Sequence, residues 1–128
     1  LQTDAMIDEV SEQLSKYGVE SIDPTDKAES LTGGEKQILS ISRSIASEPR
    51  VLMLDEPLTE LSRDDRQSVI SFVRNLRERS DTSIILVSHD LDIVRDLVDH
   101  LMILNQGETT LSGSPADFTT DDIVDEMV

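Results

Sequence analysis

An α/β fold, a mostly parallel sheet with helices on its faces, is what this 128-residue sequence predicts. Three observations point there. VLML at 51–54 and SIILVS at 83–88 are short continuous apolar runs, the pattern of buried parallel strands. The stretches around them repeat their apolar residues at three and four, the helical period. Strands therefore alternate with helices, and right-handed crossovers make the strands at 51 and 84 neighbours or near neighbours.

Residues 4–17 carry Met6, Ile7, Val10 and Leu14 on one helical stripe, and Gly18 follows as a stop. Leu1 is not a methionine and LQTDAMIDEV already reads as the inside of a helix, so the chain is expected to be a fragment. SIDPTDKAES has no periodicity and predicts a loop. After the glycine pair of LTGGEKQ, residues 31–37, the spacing of Ile38, Ile41, Ser42 and Ile45 predicts a helix over 35–47, ended by Pro49. Ser62 and Asp65 make a helix start, and Val69, Ile70, Val73 and Leu76 carry that helix to about Arg79. LDIVRDLVDH predicts a helix, LMILN at 101–105 a third strand, and Gly107 a turn into a short strand at 109–111. Ser114-Pro115 and Thr120-Asp121-Asp122 read as helix starts.

Twenty-seven acidic residues against 11 basic ones leave a net charge of −16, which repels phosphate backbones and argues against nucleic acid as a ligand. An Asp-rich, Lys-poor surface also suits solubility in high salt. Without cysteine there is no disulfide framework and no thiolate metal site. No apolar run reaches the length of about 20 residues that a membrane helix needs, so any membrane association is expected through a partner.

In a parallel sheet the ligand sits at the carboxyl ends of the strands. That rule selects Asp55-Glu56 after the first strand and Ser88-His89-Asp90 after the second. Asp55 can hold a hard cation such as Mg2+, and Glu56 can orient or deprotonate an attacking water. Taken alone, Asp-Glu-Pro also reads as a solvated turn and His89 as an ordinary polar residue. Their parallel positions would bring three polar groups to one rim.

LTGGEKQ, VLMLDEP at 51–57, TELS at 59–62 and LVSHD at 86–90 together resemble, in order, the signature, Walker B, D-loop and H-loop motifs of ATP-binding-cassette (ABC) ATPases. DHLMILNQGETTLSG is similar to the segment that follows the H-loop in transporter ATPases. The resemblance covers nearly the whole chain. It implies a P-loop NTPase (RecA-like) parallel sheet, present as a partial domain: residues 1–48 would end the helical subdomain and 49–128 would form the C-terminal part of the ATPase core. It further implies that Thr32, Gly33, Gly34 and Glu35 bind ATP held by a second cassette in a head-to-tail dimer. Asp55 would serve Mg2+, Glu56 would polarise the attacking water and His89 would contact the γ-phosphate. Leu61 and Ser62 would lie in the D-loop at the dimer interface.

The sequence departs from the family pattern in several places. Thr32 stands for the usual serine, Glu35 for glutamine, and Ile38 where a basic residue is common. LTELS replaces Thr-Ser-Ala-Leu-Asp, so the D-loop aspartate is missing. No GxxxxGK[ST] occurs and no Gln-loop is recognisable, so the chain by itself is expected to bind ATP poorly and hydrolyse it negligibly, the longer parent being the enzyme. ADFTTDDIVDEMV and SKYGVESIDPTDKAESLTGGEKQ are similar to segments of sugar and nucleoside importers. Those would add permease subunits, a solute-binding protein and a peripheral place on the cytoplasmic side of the membrane. Gly-Gly-Glu-Lys also looks like the signature of chromosome-maintenance and DNA-repair ATPases, against which stand the acidic charge, Pro57 and the Gly107 hairpin. A third reading is a truncated, non-catalytic cassette.

Overall fold

The computed structural model describes residues 2–128, the side chains of Gln2, Thr3 and Ala28 excepted, so Leu1 lies outside the described residues. The chain divides into two compact units, residues 1–87 and 88–128.

The first unit opens with α1 (Gln2–Lys16). Its end is a Schellman motif: Gly18 at φ +78° places the Val19 N–H on Leu14 O at 2.8 Å and the Gly18 N–H on Ser15 O at 3.1 Å. Leu14 and Val19, the apolar pair that accompanies such a stop, are both buried. Met6, expected on the buried stripe, is instead 64% exposed, because α1 turns its apolar face inward only towards its C-terminal end.

A 3-10 turn at Ala28–Ser30 leads to α2 (Gly33–Ile45). The glycine pair does not precede this helix, as the pattern suggested, but forms its first two residues. The reason is a capping box: the Glu35 N–H donates to Thr32 Oγ1 at 3.2 Å, and the Thr32 N–H donates to Glu35 Oε2 at 2.8 Å. Gly34, Ile38, Ile41, Ser42 and Ile45 form the buried face. Ser42 is tolerated there because its hydroxyl donates to Ile38 O within the same helix, at 2.8 Å.

β1 (Val51–Asp55) pairs in parallel with β2 (Ser83–Val87), Val51 opposite Ser83 through Asp55 opposite Val87. Between them runs α3 (Arg63–Arg79), started by Ser62, whose hydroxyl accepts the Asp65 N–H. Helix α2 packs on α3 and, less extensively, on α1. Phe72 joins Val69, Ile70, Val73 and Leu76 on the buried face of α3. The strands were expected to be buried on both faces. Leu52 and Leu54 are buried, but Met53 on the other face is 71% exposed, and Val51, Ile85 and Val87 beside it are exposed too, since no described element of the unit covers that side.

The second unit holds α4 (Leu91–Leu97), β3 (Leu101–Asn105), β4 (Glu108–Gly113) and α5 (Thr120–Met127). Val98 is already extended, so α4 ends before the predicted limit at residue 100. β3 is not a third strand of the parallel pair. It forms an antiparallel hairpin with β4 across Gln106-Gly107, both at positive φ as a type I′ turn requires. Leu101, Ile103 and Ile123 make a small core under α5, flanked by Leu91, Val94, Val98, Leu111 and Phe118. Among the described residues no helix is long and apolar enough to cross a membrane.

Candidate functional site

Eight of the nine site candidates fall in the first unit and His89 in the second. Two pairs of segments meet within the first unit.

The start of α2 meets the start of α3. Thr32 Oγ1 donates to Asp65 Oδ1 at 2.8 Å across 33 positions of sequence. The Gly34 N–H also donates to the Asp65 carboxylate, and Ser62 bonds it from the cap of its own helix. The Thr32 hydroxyl, chiefly, holds the Asp65 carboxyl below the usual carboxylate range, so it is charged at neutral pH. Gly34 is the glycine this approach requires, while Gly33 meets only the flexible end of a side chain. A Cβ on Gly33 would lie 3.2 Å from Leu61 Cδ2, and one on Gly34 would lie 2.7 Å from Asp65 Cβ and 2.9 Å from Asp65 Cα. Gly34→Ala is therefore expected to cost about 1–3 kcal/mol despite alanine's better helix propensity, because backbone must move. Urea denaturation measures it, and a net gain in stability would show that the two helices part freely.

The end of β1 meets the end of β2. Asp55 is the last residue of β1 and exposed. Glu56 leaves the strand at φ +46°, a region that side chains rarely adopt, while its N–H donates to Val87 O at 2.8 Å. The two acids thus do not alternate along a continuing strand: the ladder's last hydrogen bond holds Glu56 as the chain turns. Pro57 and Leu58 are buried, Glu60 turns again at φ +64°, and Leu61 and Ser62 bring the chain to α3. In the second unit His89 is exposed beside Asp90, which caps α4 by accepting the Ile93 N–H at 3.4 Å.

Among the described residues no three His, Asp or Glu side chains gather as an all-protein metal cage. The donor chemistry fits a nucleotide in two respects. The Thr32 hydroxyl and Gly34 N–H already converge on one oxyanion, that of Asp65, as donors at a helix N-terminus do. A single exposed strand-end carboxylate, Asp55, suits Mg2+ that keeps its waters and phosphate ligands. Asp65 was read only as a helix start; no local sequence signal reports a partner 33 residues away.

This is the class of α/β nucleotide-binding cassettes, and comparison with known proteins gives the family. A family profile described as ABC transporter matches residues 2–59. The molybdenum import ATP-binding protein ModC of Brucella abortus is 42% identical over 87 residues, 68% of this chain and 24% of that protein. ModC of Aliivibrio fischeri is 43% identical over 84 residues, 66% of this chain and 23% of that protein. A Pyrococcus horikoshii protein named as an ABC transporter ATP-binding protein is 39% identical over 107 residues, 84% of this chain and 39% of its own length. Among solved structures, CbiO1 of Clostridium perfringens, part of the ABC transporter complex CbiONQ, superposes with a TM-score of 0.77 at 26% identity, over 96% of this chain and 49% of that one. The chain belongs to the ATP-binding domains of ABC transporters, and spans about a quarter of the length of the ModC proteins it matches.

These relatives do not support the sugar and nucleoside subgroup, since the ModC proteins are named for molybdenum import. The tail that suggested it is a short acidic helix with a Thr119/Asp122 capping box, a local device that carries no solute preference.

Proposed function

We propose that the chain is the portion of an ABC import ATPase that carries the signature, Walker B, D-loop and H-loop segments. In this reading residues 1–48 close the helical subdomain and 49–128 belong to the ATPase core. The observation that carries it is the convergence of the Thr32 hydroxyl and the Gly34 N–H on one oxyanion, the arrangement that receives a terminal phosphate. The direction, import, follows the names of the ModC relatives.

ATP supplies the phosphoanhydride bond whose cleavage drives transport. The residues of this chain bind and orient around it. Thr32 and Gly34 donate to the terminal phosphate of ATP on a second cassette, with Gly33 and Glu35 shaping the segment. Asp55 would hold Mg2+, which would neutralise phosphate charge there, a carboxylate oxygen of Glu56 would take the proton of the attacking water, and His89 would donate to the γ-phosphate. Leu61 and Ser62 line the passage between the two subunits. The partners are a second cassette, permease subunits and a solute-binding protein, which places the assembly on the cytoplasmic face of a membrane.

Thr32→Val keeps the shape of the side chain and removes its hydrogen bonds. In the full-length protein carrying Asp65→Ala, where the hydroxyl has no carboxylate bond to lose, it is expected to raise the ATP concentration for half-maximal dimerisation about tenfold, the size of one bond to a charged group. Light scattering against ATP concentration reads this, and an unmoved midpoint would remove Thr32 from the phosphate site.

A further inference from the structure

We propose that Asp65 is an internal plug for the signature segment, and that ATP from the partner cassette engages this segment only by displacing the Asp65 carboxylate. The inference rests on the phosphate reading of Thr32 and Gly34 and adds a regulator to it.

The donors carry the point. Thr32 has one hydroxyl hydrogen. Its oxygen already accepts the Glu35 N–H at 3.2 Å, and its hydrogen goes to Asp65 Oδ1 at 2.8 Å. That hydrogen cannot also go to a phosphate. The Gly34 N–H is taken by the same carboxylate. The space above Gly34 is filled as well, because a Cβ there would stand 2.8 Å from Asp65 Oδ1. Phosphate and carboxylate would compete for the same donors, and two anions held together repel.

Release has a ready destination. Asp65 sits three residues after Ser62, the cap of α3, with its own N–H on Ser62 Oγ at 3.2 Å. A carboxylate at that position can turn back to the start of its own helix, completing a capping box and facing the positive end of the dipole. In the structure the carboxylate bonds Thr32, Gly34 and Ser62 together; released, it would keep only the partners of its own helix and leave the signature donors free. Asp65 tunes the affinity of the site and takes no part in the reaction.

The test is ATP-dependent dimerisation of the full-length protein. Asp65→Ala is expected to lower the ATP concentration for half-maximal dimerisation about tenfold, the gain from freeing donors held by a charged acceptor. Asp65→Asn keeps the shape and one acceptor oxygen but not the charge, and should shift the midpoint the same way by less. It also serves if the alanine variant fails to fold. A midpoint that stays or rises in the folded variants overturns the plug, and a rise would mark Asp65 as a support that aims Thr32. Thr32→Val separates this from the reading beneath it. If Thr32→Val weakens dimerisation and Asp65→Ala does not strengthen it, the phosphate site stands and the plug falls. If Thr32→Val has no effect in the Asp65→Ala background, where no carboxylate competes for the hydroxyl, both fall.

Discussion

Glu56→Gln in the full-length protein is expected to lower steady-state ATP turnover roughly a hundred- to ten-thousandfold, the range of a lost general base, while ATP still drives dimerisation. The split follows from how the residue is held. Its N–H bonds Val87 O at 2.8 Å and its φ is +46°, so the backbone, anchored to the end of β2, sets where the side chain begins. Glutamine has the same shape and leaves that anchor untouched, so only the proton-accepting oxygen is lost. The donors at Thr32 and Gly34 belong to another segment, and binding through them should persist. Phosphate release followed in time, beside light scattering for the dimer, reads both halves. Undiminished turnover would end the general-base assignment, and a loss of dimerisation equal to the loss of turnover would make Glu56 a binding group instead.

The strand and helix order was legible because it depends on local period and on capping residues. Ser42 on the buried face of α2, the Ser62 cap and the Gly107 turn are all short-range statements, and each is found where its sequence put it. The helix start at Gly33 was misplaced by two residues because glycine is a poor helix former by propensity, yet the Thr32/Glu35 box satisfies the first-turn donors and wins. The assumption of strands buried on two faces failed at Met53 and Ile85 because an apolar run reports only the wish for cover. What covers a face is decided elsewhere in a fold. The link between Thr32 and Asp65 was invisible for the same reason, since a contact across 33 residues leaves no period to read. The family motifs named the acids and the glycines but not the carboxylate that sits against them.

Phe72→Ala should be the most damaging single truncation in the first unit, at about 3–5 kcal/mol of stability. Phe72 is 1% exposed, and its ring meets Tyr17 edge-on, with centroids 5.8 Å apart and planes at 86°. That pair adds to simple burial, and it joins the end of α1 to the middle of α3. The same junction satisfies the last carbonyls of α1: Asn75 Nδ2 donates to Tyr17 O at 2.8 Å and Arg79 Nη1 to Lys16 O at 2.9 Å. Gly18 leaves room for the Asn75 amide, since a Cβ there would stand 3.0 Å from Nδ2. Removing the ring opens a cavity among these groups and loosens two helix-end bonds with it, so the loss should exceed the transfer energy of the ring alone. Urea unfolding monitored by circular dichroism gives the size, and hydrogen exchange gives the place. Amides at the end of α1 should lose protection before those of α2. A loss below about 1.5 kcal/mol, the range of a volume-conserving apolar swap, would mean that Tyr17 and its neighbours collapse into the gap and that the junction is plastic.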